Sequence, residues 1–157
     1  MKEKSPRKNV GVQKDHPAYD EVAYRSSFES KLGDFFNLEG KASIMHAFDE
    51  ACKCHPLTQK RDEGIPYRDH VVESALTLVE FGIRNPDDIV IMLLHDGIEE
   101  SGYIVSRDLP FERRIKEAKA WLAKEFNQEV ANGVAGLTKP TSKDVNPPTK
   151  VRARKSK

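Results

Sequence analysis

The chain has 157 residues, 38% of them hydrophobic and 32% charged, with a formal net charge of +1. That length suits one domain with a real core; no apolar run approaches the ~20 residues of a membrane span, no signal-peptide pattern opens the chain, and two cysteines do not make a disulfide scaffold. A cytoplasmic location is expected.

The near-neutral charge conceals an asymmetry. Residues 1–14 carry five basic side chains and one acidic, residues 141–157 carry six and one, and the remainder is left at about −8. Basic ends with Pro and Ser read as solvated flexible tails over 1–19 and 141–157 rather than nucleic-acid arms, flanking a helical domain over 20–140. Helical spacing appears at 20–32 and at 42–54, the second through Ile44, Met45, Phe48, Ala51 and Cys52. Cys52 and Cys54 point about 200° apart on such a helix, so they neither bridge nor share a metal. Pro56 and the polar stretch TQKRDEGIP form a loop. Asp69 and His70 open the next helix, with Val71, Val72, Ala75, Leu76 and Val79 at helical intervals and Gly82 as its stop.

Asn85, Pro86, Asp87 and Asp88 are a strong helix start. The run that follows, IVIMLLHDGIEES, is apolar on every face, so it belongs at the centre of the domain and reads as one helix through Glu100. Residues 111–126 form an amphipathic helix through Ile115, Ala118, Trp121, Leu122 and Phe126, and 128–137 a shorter one. With no strand alternation and no repeat, the fold class is an all-α bundle of about six helices.

The far end of the central run carries the chemistry. Burying His95, Asp96, Glu99 and Glu100 beside six apolar residues costs several kcal/mol or more unless each finds a partner, and a divalent cation is a common one. On a helix, Glu99 lies one turn from His95 and Asp96, and Glu100 one turn from Asp96. The short GIRNPD connection makes the preceding helix antiparallel, which brings His70 beside His95 as a third ligand. Two imidazoles and a carboxylate suit Mn²⁺, Fe²⁺ or Zn²⁺ and leave positions open for water and substrate. Glu99 is the first choice for accepting a proton from attacking water, Glu100 the second. His46 and His55 read as ordinary core or surface histidines.

Three segments carry a resemblance: QKRDEGIPYRDH over 59–70, LLHDGIEE over 93–100 and VAGLTK over 134–139. In order and spacing the chain resembles the HD-domain superfamily of metal-dependent phosphohydrolases, most closely the (p)ppGpp hydrolase domain of RelA/SpoT-type enzymes. The resemblance implies an HD-like helical fold, Mn²⁺ as cofactor and 3′-pyrophosphate release from a guanine nucleotide. It implies His70, His95 and Asp96 as metal ligands, Glu99 and Glu100 as the catalytic acid pair and Arg61 as the guanine-facing basic residue. Asp62 stands where many members carry a second basic residue, Glu63 where a small residue is usual, and Glu100 where Asp is usual. The family completes its metal shell with an Asp in a later helix, in a pattern like L-A-D-R. These 157 residues hold no match to it, and Asp144 is the one carboxylate after Lys139. The alternative to a hydrolase is therefore a truncated or degenerate HD domain that binds metal or nucleotide without turnover, with an interaction module using the basic tails as a third reading.

Overall fold

The computed structural model describes residues 20–61 and 64–145, and every regular element among them is helical. The expected tail over 1–19, residues 146–157, and the departures at Asp62 and Glu63 lie outside the described residues. Seven helices appear rather than about six: α1 (Glu21–Leu32), α2 (Leu38–Cys54), α3 (Tyr67–Glu80), α4 (Pro86–Leu94), α5 (Phe111–Glu125), α6 (Gln128–Leu137) and the short α7 (Ser142–Val145).

Local chemistry starts three of these helices in the same way. Asn37 accepts the Gly40 N–H at 2.8 Å, Asn85 the Asp87 N–H at 3.2 Å and Asn127 the Val130 N–H at 2.9 Å, each filling a donor that the first helical turn leaves without an intrahelical partner. The Asn85 start and Pro86 in the first turn agree with the sequence. The start of α2 does not: it precedes the expected residue 42 by four positions, because Leu38 is 88% exposed and contributes nothing to the apolar face that marked the helix. Helix α3 also begins early, at Tyr67, with Asp69 and His70 in its first turn. An antiparallel bridge between Lys60 and Pro66 closes the preceding loop and delivers the chain into that turn.

Helix α4 is the hub, packed against α2, α3 and α6, while α5 lies on α6 and α1 on α3. Ile89, Val90, Leu93 and Leu94 are fully buried along it, each burial worth roughly 1.5–3 kcal/mol. Close approach to α6 needs Gly133, where a Cβ would meet the Ile91 side chain at 2.3 Å. On the other side of the core, Phe28 of α1 stacks on Phe48 of α2 with ring centroids 4.7 Å apart.

Helices α2, α4 and α6 run in the same direction. Their starts line one cleft of about 400 Å³, bordered by Asn37, Glu39, Pro86, Asp87 and Asn127, and Asn127 donates across it to Asp87 at 3.1 Å. Their ends meet at the opposite pole, with α3 beginning there as an antiparallel neighbour.

The central helix is shorter than its apolar run. α4 stops at Leu94, and residues 95–100 form a right-handed turn closed by Gly97 N–H to Leu94 O and Glu100 N–H to Asp96 O, both 2.9 Å. Tertiary packing sets this ending. Ile98 is fully buried, and a Cβ on Gly97 would lie 2.8 Å from Ile104 and 3.4 Å from Cys54 Sγ, so the turn is pressed against the core on its inner side.

The segment after residue 140 also departs from the reading as a tail from its first residue. Asp144 accepts from the Thr141 N–H at 2.7 Å and hydroxyl at 2.8 Å, and pairs with Arg114 at 2.6 Å. Arg114 is itself buried on α5, donating also to the Arg107 carbonyl at 3.3 Å. Asp144 thus belongs to a structural ion pair that docks α7, not to the cluster of metal-ligating groups.

Candidate metal centre

At the pole where α2, α4 and α6 end, three helix C-termini bring their negative dipole ends together, a setting that favours a cation. His95 is the capping residue of α4 and Asp96 follows it; His70 comes from the first turn of α3. One ligand atom from each of His70, His95 and Asp96 lies within 4.8 Å of the others, and this is the one such group of three among the described residues. His95 Nε2 is 3.2 Å from Asp96 Oδ1, and His70 Nε2 is 3.5 Å from Asp96 Oδ2. The expected meeting of these three residues is therefore present, although His95 and Asp96 stand in a turn rather than on the helix.

The groups around the three side chains orient them. His95 Nδ1 lies 2.6 Å from the Met92 carbonyl, so the proton sits on Nδ1 and Nε2 faces Asp96. Tyr67 donates its hydroxyl to Asp96 Oδ2 at 2.8 Å. Burial pushes the Asp96 carboxyl up, but hydrogen bonding to His95 and its charge, with Tyr67 and His70, outweigh it and hold the group below its ordinary value. Burial likewise pushes His95 down, and the Asp96 and Met92 hydrogen bonds outweigh it and raise it. His70 is lowered, first by burial and then by the Arg61 guanidinium.

These residues fit a first-row divalent cation. Ligand bonds of ~2.1 Å in tetrahedral geometry place two ligands of one ion ~3.4 Å apart, and the nearest His95–Asp96 and His70–Asp96 contacts, 3.2 and 3.5 Å, are already close to that spacing. An imidazole whose other nitrogen donates to a carbonyl is the usual orientation for a metal-binding His, and His95 has it. His70 is set differently. Arg61 has no acceptor, so at 3.0 Å its Nη1 donates to His70 Nδ1, which places the proton on Nε2. To offer Nε2 to a cation, His70 must shift that proton to Nδ1 and release Arg61.

The remaining expected residues surround the cluster. Arg61 is exposed and reaches the site through His70. The Glu99 carboxylate accepts the Lys139 backbone N–H just beyond α6 and is close enough to raise His95. Glu100 lies near Tyr67, whose hydroxyl is raised by burial first, then by Asp96 and last by Glu100, and the Glu100 carbonyl accepts from Gln59 at 3.1 Å. His46 is apart from the site, paired with Glu125 at 3.4 Å and packed on Phe126.

Sequence reasoning missed His55. It is fully buried at the end of α2, stacked on Tyr67 with ring centroids 4.8 Å apart, and its Nδ1 faces Gln59 Oε1 at 3.1 Å. Burial lowers it and the Gln59 hydrogen bond opposes that only in part. Buried Arg68 was missed too; it donates to the carbonyls of His55 and Cys52, both at 3.1 Å, and caps the end of α2. The available signal was position: His55, Gln59, Tyr67 and Arg68 all fall within sixteen residues before His70.

Comparison of the chain with protein-family models, with curated proteins and with solved structures returns no match. Among the described residues, no helix is long and apolar enough to cross a membrane.

Proposed function

We propose that this chain is a divalent-metal-dependent phosphohydrolase of the HD type, using Mn²⁺ in the cytoplasm to release the 3′ pyrophosphate of a guanine nucleotide such as (p)ppGpp. The observation that carries this reading is the gathering of His70, from one motif segment, with the adjacent His95 and Asp96 of another, within 4.8 Å. A bound divalent cation would supply Lewis acidity toward a phosphoryl oxygen and toward water.

The side chains divide the remaining work. Tyr67 and the Met92 carbonyl hold Asp96 and His95 in their orientations. Arg61, a planar donor with fixed charge at the edge of the site, faces the guanine of the incoming nucleotide. Glu99, held by the Lys139 N–H, accepts a proton from water, with Glu100 as the second carboxylate.

The test is pyrophosphate release from ppGpp by the purified chain with Mn²⁺, beside a His95→Ala/Asp96→Ala control. Release by the parent alone supports hydrolysis at this site; no release at saturating Mn²⁺ overturns it. A second reading, a domain that binds metal or nucleotide without turnover, is favoured by one observation: only three ligand groups gather among the described residues. Mn²⁺ binding lost in the control, with no pyrophosphate released, is the result that selects it.

A further inference from the structure

Gln59 stands where two segments of the candidate site meet. Its side-chain oxygen faces His55 Nδ1 and its amide nitrogen donates to the Glu100 carbonyl, each at 3.1 Å, while its own carbonyl accepts the Tyr67 N–H at 2.9 Å. A carboxamide has a definite polarity, one acceptor end and one donor end. His55 fixes which end points where. Its ring has no exposed surface, it is stacked on Tyr67, and its carbonyl is held by Arg68, so it is a rigid neighbour that presents Nδ1–H to Gln59 Oε1. The amide nitrogen is then left toward Glu100.

Both segments joined this way carry residues of the candidate site. The loop from Gln59 to Pro66 carries Arg61 and is closed by the Arg61 N–H to Ile65 O and Gly64 N–H to Arg61 O bonds. The turn of residues 95–100 carries His95, Asp96, Glu99 and Glu100 and has left the regular hydrogen bonding of α4. Gln59, Glu99 and Glu100 are half-buried, between the exposed Lys60, Arg61, Gly64 and Ile65 of the loop and the buried Gly97 and Ile98 of the turn.

We infer that Gln59 is a positioning residue that clamps the Arg61 loop to the 95–100 turn, with His55 setting the orientation of the clamp, so that the cationic and ligand-bearing halves of the site keep one relative placement. The clamp itself is independent of any metal; its effect on metal affinity rests on the reading proposed above.

The experiment is amide hydrogen exchange on the metal-free chain and two variants, followed by Mn²⁺ titration. Gln59→Glu keeps the acceptor for His55 and removes the donor for Glu100 at nearly equal size. Gln59→Met removes both. Losing one hydrogen bond that holds a local opening closed is expected to speed exchange of amides 96–101 about tenfold in both variants, with Ile89–Leu93 of α4 unchanged. Unchanged exchange at 96–101 overturns the clamp, and equal acceleration throughout α4 overturns it as well, since that is global destabilisation. Where the parent binds Mn²⁺, affinity in Gln59→Glu is expected to fall about tenfold, as for loss of an outer-shell partner; unchanged affinity with faster exchange overturns the reach of the clamp to the metal ligands. A parent that binds no Mn²⁺ counts against the proposed function, and the exchange result alone then decides Gln59.

Discussion

The same three helices build both poles of the bundle with opposite chemistry. Where α2, α4 and α6 begin, Asn37, Asn85 and Asn127 each bond a backbone N–H two or three residues ahead, and acidic Glu39, Asp87 and Glu129 sit in the first turns. These capping bonds are all local, and the Asn127–Asp87 contact is the long-range one beside them. Where the helices end, local bonds such as His95 Nδ1 to the Met92 carbonyl are joined by long-range ones. Arg68 of α3 caps α2 from 13 residues away, Tyr67 orients Asp96 across 29, and the Lys139 N–H reaches Glu99 across 40. A pole satisfied by neighbours in sequence is a structural end; one satisfied at long range holds several segments in one arrangement, which a binding centre requires.

The sharpest way to break this contrast is Asp96→Asn. It removes a ligand charge while keeping the side chain's size, so Mn²⁺ affinity measured by titration calorimetry should fall 100-fold or more, with the helical circular dichroism of the parent retained. A variant that binds Mn²⁺ as the parent does would remove the distinction between the poles. Tyr67→Phe deletes only the hydroxyl on Asp96 Oδ2, and the expected loss is about tenfold in the same titration.

The opposite pole should answer in stability alone. Asn37→Ala, Asn85→Ala and Asn127→Ala are each expected to cost ~1 kcal/mol in urea unfolding, with the Asn85 and Asn127 effects coupled through their shared partner Asp87, and to leave Mn²⁺ affinity unchanged. An effect on metal binding would mean that the poles communicate through the helices.

The smallest effect concerns α7. Burial raises Asp144, but the Thr141 N–H and hydroxyl and the Arg114 guanidinium outweigh it, so the folded carboxyl lies below its ordinary value of 3.8. Its contribution is fully present above that ordinary value and is lost as pH falls through the lower folded value. Asp144→Asn should therefore melt slightly below the parent at neutral pH, and the gap should close under acid conditions; a gap independent of pH would assign the effect to packing.

Much of the fold is legible one residue at a time. The Asn85-Pro86 start, the amphipathic pattern of Ile115, Ala118 and Leu122, and the apolar run from Ile89 are local in cause, so composition and period reveal them. Leu38 hid the start of α2 because an exposed apolar residue breaks the pattern without breaking the helix. Tertiary contact decided the end of α4: Gly97 and Ile98 fit a turn pressed on Cys54 and Ile104, and no periodicity encodes that neighbourhood.

The candidate site divides along the same line. The residue types and the antiparallel step from His70 to His95 could be read from the chain, because a six-residue connection leaves few ways to pack two helices. The buried His55 under Tyr67, Gln59 bridging to Glu100, and Arg61 donating to His70 could not, since each depends on which atom of a side chain faces which partner. By itself the sequence determined an all-α bundle and the identities of its ionisable residues, through period and local capping. The tertiary structure alone decided which side-chain atoms face which partners within that site, because hydrogen bonds across 13, 29 and 40 residues exist only once the core has folded.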